Sequence, residues 1–187
     1  MAVGPFFITN HCRKIIMSRY QRVCASVSDE VPVSASAYWD ILLDWPGILK
    51  WMRTEGRPVP LVNVELKVGH SPGKLPCTRN CIFDLSGLPP GVVIPECVPE
   101  TLLHVDPLAR FIYYNMEGEG PFGLRNYLAT TEVDELGPER SRVTCSGRFD
   151  VPEGAPVELV KGVIENVYDC IVHDIAALVM RNASTGK

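Results

Sequence analysis

Two-residue alternation puts Arg79, Cys81 and Phe83 on one face of a strand-like segment and Glu100, Leu102 and His104 on one face of another. Ile112, Tyr114 and Met116 form a third such row. An arginine and a carboxylate therefore stand among apolar side chains. They are either a cross-strand ion pair that braces the sheet or polar groups facing a cavity. In an apolar cavity an unpartnered glutamate has a raised pKa and can move protons. Aldol, dehydration and ring-closing steps need that chemistry, together with walls that fold a flexible chain into a reactive shape. His104 is a second candidate base; standing two residues before Asp106-Pro107, it reads equally well as an exposed residue at a strand end. His173, with Asp169 and Glu165 at four-residue spacing, reads as solvated helix pairing. Cys77 and Cys81, four apart on a strand, are separated by about 13 Å, too far to share one zinc. No Ser/His/Asp order, phosphate-binding glycine loop or nucleophile elbow occurs. No metal or other cofactor is therefore implied.

These residues need elements to hold them. Val23, Ala25 and Val27 alternate with polar neighbours, so residues 20–31 read as a strand that Pro32 ends. Ser34 or Ser36 then caps a helix carrying Trp39, Leu42 and Leu43 at helical spacing. Pro46 opens a second short helical turn through Trp51. Six further strands follow over 61–68, 77–85, 98–105, 110–117, 126–134 and 141–151, separated by turn clusters such as Ser71-Pro72-Gly73 and Gly137-Pro138. The last segment, 156–181, places Val160, Val163, Val167, Ile171 and Leu178 on one face, reinforced by Ile164, Tyr168 and Ile175. It reads as a long amphipathic helix with Pro156 at its first position. This order predicts an α+β helix-grip fold: a seven-stranded curved antiparallel sheet around a long C-terminal helix, with two short helices after strand 1. Such a sheet, closed on one side by a helix, tends to leave an internal pocket.

Composition narrows the function classes. The 187 residues carry 18 Lys plus Arg against 22 Asp plus Glu, a net charge of −4, and no basic run longer than Arg13-Lys14. Nucleic acid is therefore not an expected partner. Apolar stretches fall well short of the roughly 20 residues of a spanning helix. The expected organisation is an N-terminal extension over 1–19, one domain over 20–183 and a tail over 184–187. Seven cysteines without paired spacing read as reduced, mostly buried thiols of a cytoplasmic protein. Residues 1–28 contain no acid, and organelle targeting by 1–16 stays open. The chain is expected to be a monomer or homodimer. Ten of its 16 prolines lie between Pro58 and Pro121, on the loops that would rim a pocket.

Three motifs are more specific. Cys77-Thr78-Arg79-Asn80 leading to Ser86-Gly87-Leu88-Pro89-Pro90, then Leu124-Arg125-Asn126-Tyr127, then Asp150-Val151-Pro152-Glu153-Gly154 resemble the plant abscisic-acid receptors of the PYR/PYL/RCAR family. More loosely, residues 20–180 resemble the START-like or Bet v 1-like (SRPBCC) superfamily, which includes polyketide cyclases and dehydrases. The receptor resemblance implies that Ser86, Gly87, Leu88, Pro89 and Pro90 form a gate over a ligand. It also implies that Lys50 is a pocket lysine able to pair with a ligand carboxylate. Arg79, Glu100 and Tyr127 match polar groups around the ligand. Cys81, Phe83, Leu88, Pro89, Tyr114, Met116, Leu124, Val163, Val167 and Ile171 match its walls.

The departures are as informative. The latch that carries His-Arg-Leu in the receptors reads Phe122-Gly123-Leu124 here, so the resemblance does not extend to their phosphatase partner. Cys145, Ala129 and an apolar residue near Ile171 replace a carboxylate, a serine and an asparagine of the receptors' water network, and the segment from Gly91 to Pro99 is longer. The expectation is a gated pocket for a mid-sized hydrophobic molecule, polyketide- or terpenoid-like and carboxylate-bearing if Lys50 serves as in the receptors. Lys50, Arg79, Glu100 and Tyr127 are its candidate catalytic groups for cyclisation or isomerisation. The alternatives are a non-catalytic ligand-binding protein resembling the receptors and a carrier of hydrophobic ligands.

Overall fold

Alternating burial along each strand builds one sheet with one covered face. The computed structural model describes residues 19–52, 60–88 and 90–186. Strand β1 (Tyr20–Val31) leads through Ser34 into α1 (Ala35–Leu42), a 3-10 turn (Trp45–Gly47) and α2 (Ile48–Trp51). Strands β2 (Leu61–Leu66), β3 (Cys77–Phe83), β4 (Cys97–Asp106) and β5 (Phe111–Met116) follow. After a 3-10 turn (Pro121–Gly123) come β6 (Arg125–Gly137), β7 (Arg140–Pro152) and α3 (Val157–Thr185). The sheet order is β1-β7-β6-β5-β4-β3-β2, with every neighbouring pair antiparallel. This is the α+β helix-grip fold, its curved sheet closed by α3.

Local chemistry explains the joints. Ser34 is the residue that caps α1, its Oγ accepting from the Ala37 N–H at 3.3 Å. α1 is then tied to α3 by the buried Tyr38 hydroxyl, which donates to the Ile171 carbonyl at 2.6 Å. Val160, Ile164, Tyr168, Val172 and Ile175 are buried against the sheet at three- to four-residue spacing, which sets the helix's rotation. Gly147 makes that docking possible: a Cβ there would overlap the Tyr168 hydroxyl. α3 runs to Thr185, beyond the expected end at residue 181 and into the expected tail over 184–187. Its first residue is Val157, which leaves Pro156 just outside. Among the described residues no helix is long and apolar enough to cross a membrane.

Strand β4 departs from simple alternation. The β4–β5 register shifts between Leu102 and His104, so Leu102 is buried while Leu103 and His104 both face solvent. The extra residue of this bulge removes His104 from the face of Glu100. The His104 ring lies instead beside Phe111, with centroids 6.5 Å apart. The candidate base on that face is thereby withdrawn.

Candidate functional site

The inner rows of β3, β4 and β5, the Tyr127 side of β6 and one face of α3 enclose a cavity of about 500 Å³. Arg79, Cys81 and Phe83 from β3, Glu100 and Val98 from β4, and Tyr114 and Met116 from β5 line the sheet side. Val163, Ile164, Val167 and Ile171 line the helix side, and Ile48, Met52 and Leu61 close one end. The mouth lies between Leu88, Val92 and Ile94 and the α3 residues Leu159, Gly162 and Asn166. Leu159 is 47% exposed, whereas Tyr114 and Tyr127 are 4% exposed, which separates an outer rim from an inner end.

The inner end is polar and tightly bonded. Arg79 Nε and Nη2 donate to Glu100 Oε2 at 2.9 and 2.6 Å, and Nη1 donates to the Trp45 carbonyl at 2.6 Å. The guanidinium also lies 3.8 Å from the centroid of the Trp45 ring. Arg79 and Glu100 are directly opposed across β3 and β4, so the pairing follows from register. Burial would lower the Arg79 pKa, but the Glu100 charge, with Cys81 and Tyr114, holds it above its ordinary value. Arg79 is thus a permanent cation. The two sequence readings of this pair are realised together, since it braces the sheet and also lines the cavity.

Beside the ion pair stands an aromatic row. Trp45 and Tyr114 meet edge to face at 5.3 Å, and Tyr114 and Tyr127 lie 6.2 Å apart. The Tyr127 and Tyr168 hydroxyls share a buried hydrogen bond of 2.9 Å. Burial pushes the pKa values of Tyr114, Tyr127 and Tyr168 upward, and neighbouring tyrosines add to the first two. These hydroxyls stay protonated at neutral pH and act as hydrogen-bond donors. Burial, then the Glu100 charge, likewise pushes the Cys81 thiol up, so it is a poor nucleophile.

Two expected wall or anchor residues lie elsewhere. Lys50 does not reach the cavity: Ile48, Trp51 and Met52 occupy the inward side of its turn, and its ammonium pairs with Asp44 at 2.5 Å on the surface, 69% exposed. Arg79 is the cation of the described lining. Leu124 is fully buried but off the cavity; its backbone closes the turn with Gly120 and Pro121. Of the expected gate, Ser86, Gly87 and Pro90 are exposed, Leu88 lines the mouth, and Pro89 lies outside the described residues. Where the receptors have a polar latch, Phe122 is buried and its N–H donates to the Val93 carbonyl at 2.6 Å. Alternation missed Ile48, Met52, Val92, Ile94 and Asn166. The four-residue spacing of Ile48 and Met52 and the helical spacing of Asn166 from Gly162 and Val163 were the available signals, because Val92 and Ile94 depend on how a loop folds over the mouth.

Other clusters are less suited to hold a ligand. His173 pairs with Asp169 at 3.3 Å and Asp29 at 3.6 Å, across α3 and β1. Among the described residues no group of three or more His, Cys, Asp or Glu side chains could hold a metal. A recess of about 760 Å³ beside the ends of β5 and β6 is bordered by Arg22, Arg125 and Arg148. Arg22 there is bound to Asp150 and Arg125 to Glu119.

The family described as polyketide cyclase/dehydrase and lipid transport matches residues 22–179. No curated protein matches the chain. Among solved structures, norcoclaurine synthase from Thalictrum flavum, in complex with dopamine and hydroxybenzaldehyde, superposes with a TM-score of 0.65 at 22% identity. That likeness covers 96% of this chain and 98% of the synthase. The ZhuI aromatase/cyclase from a Streptomyces species gives a TM-score of 0.65 at 17% identity, over 87% of this chain and 96% of that one. The protein XoxI from Bacillus cereus gives 0.61 at 20%, over 88% and 99%. At these identities the likeness is one of fold.

Proposed function

Because the chain belongs to the polyketide cyclase/dehydrase and lipid transport family, we propose that it binds a mid-sized hydrophobic molecule between the sheet and α3 and promotes its cyclisation or isomerisation. The observation that carries this reading is the division of the cavity. Apolar walls run from the mouth inward to a compact polar end made by Arg79, Glu100 and the tyrosines. Walls of this kind hold a flexible chain in a folded shape, which removes much of the entropic barrier to ring closure. At the polar end the Tyr114 hydroxyl is a hydrogen-bond donor to developing negative charge, as in an oxyanion site. Glu100 is the proton acceptor of the set, held in place by Arg79. The norcoclaurine synthase and the aromatase/cyclase share the fold and support the reaction class without assigning a substrate.

A carrier of hydrophobic ligands is the second reading. The raised pKa values of the tyrosines and Cys81 favour it, since efficient acid–base groups titrate near the working pH. Incubation of the purified protein with aromatic polyketide and terpenoid precursors, followed by mass spectrometry, separates the two. New cyclic product whose rate at saturating substrate falls at least about tenfold in Glu100→Gln or Tyr114→Phe supports catalysis. Saturable binding with unchanged ligand recovered supports the carrier. Product formation that neither variant alters would remove these residues from the mechanism.

A further inference from the structure

The polar end of the cavity is satisfied on one side only. All three nitrogens of Arg79 are directed at protein acceptors, two at Glu100 Oε2 and one at the Trp45 carbonyl. Cys81 Sγ approaches the same Glu100 oxygen at 3.6 Å. Every donor given to this carboxylate by the described residues therefore converges on Oε2. Oε1 receives none, although Glu100 lines the cavity and its side chain keeps 16% exposure. An ionised carboxylate has roughly four acceptor sites, and a half-satisfied one in an apolar enclosure strongly favours another donor.

The charge balance of the lining points the same way. Among the described lining residues, Arg79 is the cation and Glu100 and Glu158 are the anions, which sums to −1. A ligand carboxylate at the inner end would meet Glu100 before any free cation. Two like charges in contact in a poorly solvated site repel strongly. A hydroxyl there gains a charge-assisted hydrogen bond instead.

We infer that the cavity selects a ligand whose buried end is uncharged and carries a phenolic or enolic hydroxyl, which donates to Glu100 Oε1. This rests on the reading of the cavity as the ligand site, and it replaces the carboxylate recognition that a pocket lysine would provide. Tyr114 and Tyr127 line the same end of the cavity as Glu100, so the hydroxyl belongs on an aromatic or conjugated ring.

Three probes with one skeleton test it on the full chain: naphthalene, a naphthol and the matching naphthoic acid, titrated calorimetrically at about pH 7, where only the acid is ionised. The naphthol is expected to bind about tenfold tighter than either of the others, the gain of one hydrogen bond to a charged acceptor. Glu100→Gln frees the Arg79 charge, and preference then moves to the naphthoate. Should that variant fail to fold, Arg79→Met combined with Glu100→Met removes the pair by substitutions of similar volume. In that chain the naphthol's lead falls below about threefold. Naphthoate binding the native chain as tightly as naphthol overturns the inference, as does a naphthol lead that survives loss of Glu100. Naphthol and naphthalene binding equally also overturns it while leaving the ligand site intact. Absence of binding by all three removes the ligand site itself.

Discussion

At the inner end of the cavity Arg79, Glu100 and the Trp45 carbonyl are joined by hydrogen bonds of 2.6–2.9 Å, and every contributing side chain stands on a paired strand or packs against one. At the mouth, Leu88, Leu159, Gly162 and Asn166 face partly or wholly into solvent. The rim segment is held by sparse local bonds, such as the Ser86 N–H to Asp84 at 2.9 Å and the Leu88 N–H to the Leu85 carbonyl at 3.4 Å. Orientation and charge are thus built into the rigid sheet, and access is assigned to loops and one helix face. Precision at the polar inner end and tolerance at the mouth are separable properties of this fold.

That contrast can be broken from the inner side first. Arg79→Ala leaves Glu100 without its cation and is expected to cost about 3–5 kcal/mol in urea denaturation. A cost below about 1 kcal/mol would mean that the inner end is not the braced region. Gly147→Ala forces a methyl group into the Tyr168 hydroxyl and should destabilise by about 1–3 kcal/mol, with α3 displaced. Tyr168→Phe removes the partner of the Tyr127 hydroxyl and should cost about 1 kcal/mol by the same measurement. At the mouth, Leu159→Ser is expected to change stability by less than about 0.5 kcal/mol while weakening binding of an apolar probe several-fold.

Thiol labelling and acid titration sharpen the same distinction with smaller effects. In the native protein Cys24 and Cys97 are exposed and should react readily at about pH 8. Cys81 and Cys145 should not, because both are buried; burial pushes the Cys145 pKa up to about 12. Asp150 is held below its usual pKa by Arg22 and Asn126, and Glu117 by Thr101 and Lys67. A lowered folded-state pKa adds stability that is fully present above the unfolded value and lost as pH falls through the folded one. Denaturation midpoints should therefore be flat between about pH 5 and pH 7 and decline below about pH 4. Asp150→Asn should remove part of that decline.

Much of the fold was legible because its periodicities are clean. Val23, Ala25 and Val27 on β1 and the three- to four-residue apolar spacing of α3 each admit one type of element. The Arg79–Glu100 opposition was legible as well, since a two-residue period places both on inner faces. His104 was not, because a bulge costs one residue of register and leaves no mark in composition. Lys50 was misplaced for a similar reason. On a four-residue helix one step of about 100° turns a side chain from the cavity to water. The mouth residues Val92 and Ile94 belong to a segment without period, where only the folded path reveals what faces inward.

The hydrogen bond from the Phe122 amide to the Val93 carbonyl ties the turn before β6 to the segment between β3 and β4, next to Val92, Ile94 and Pro121 of the cavity lining. Phe122 holds a left-handed backbone conformation, with φ of 57°, and its amide is engaged in this bond. Its proton is consequently a clock. Exchange with deuterium at this position counts how often this one contact between the two loops opens, in the empty and the occupied protein alike.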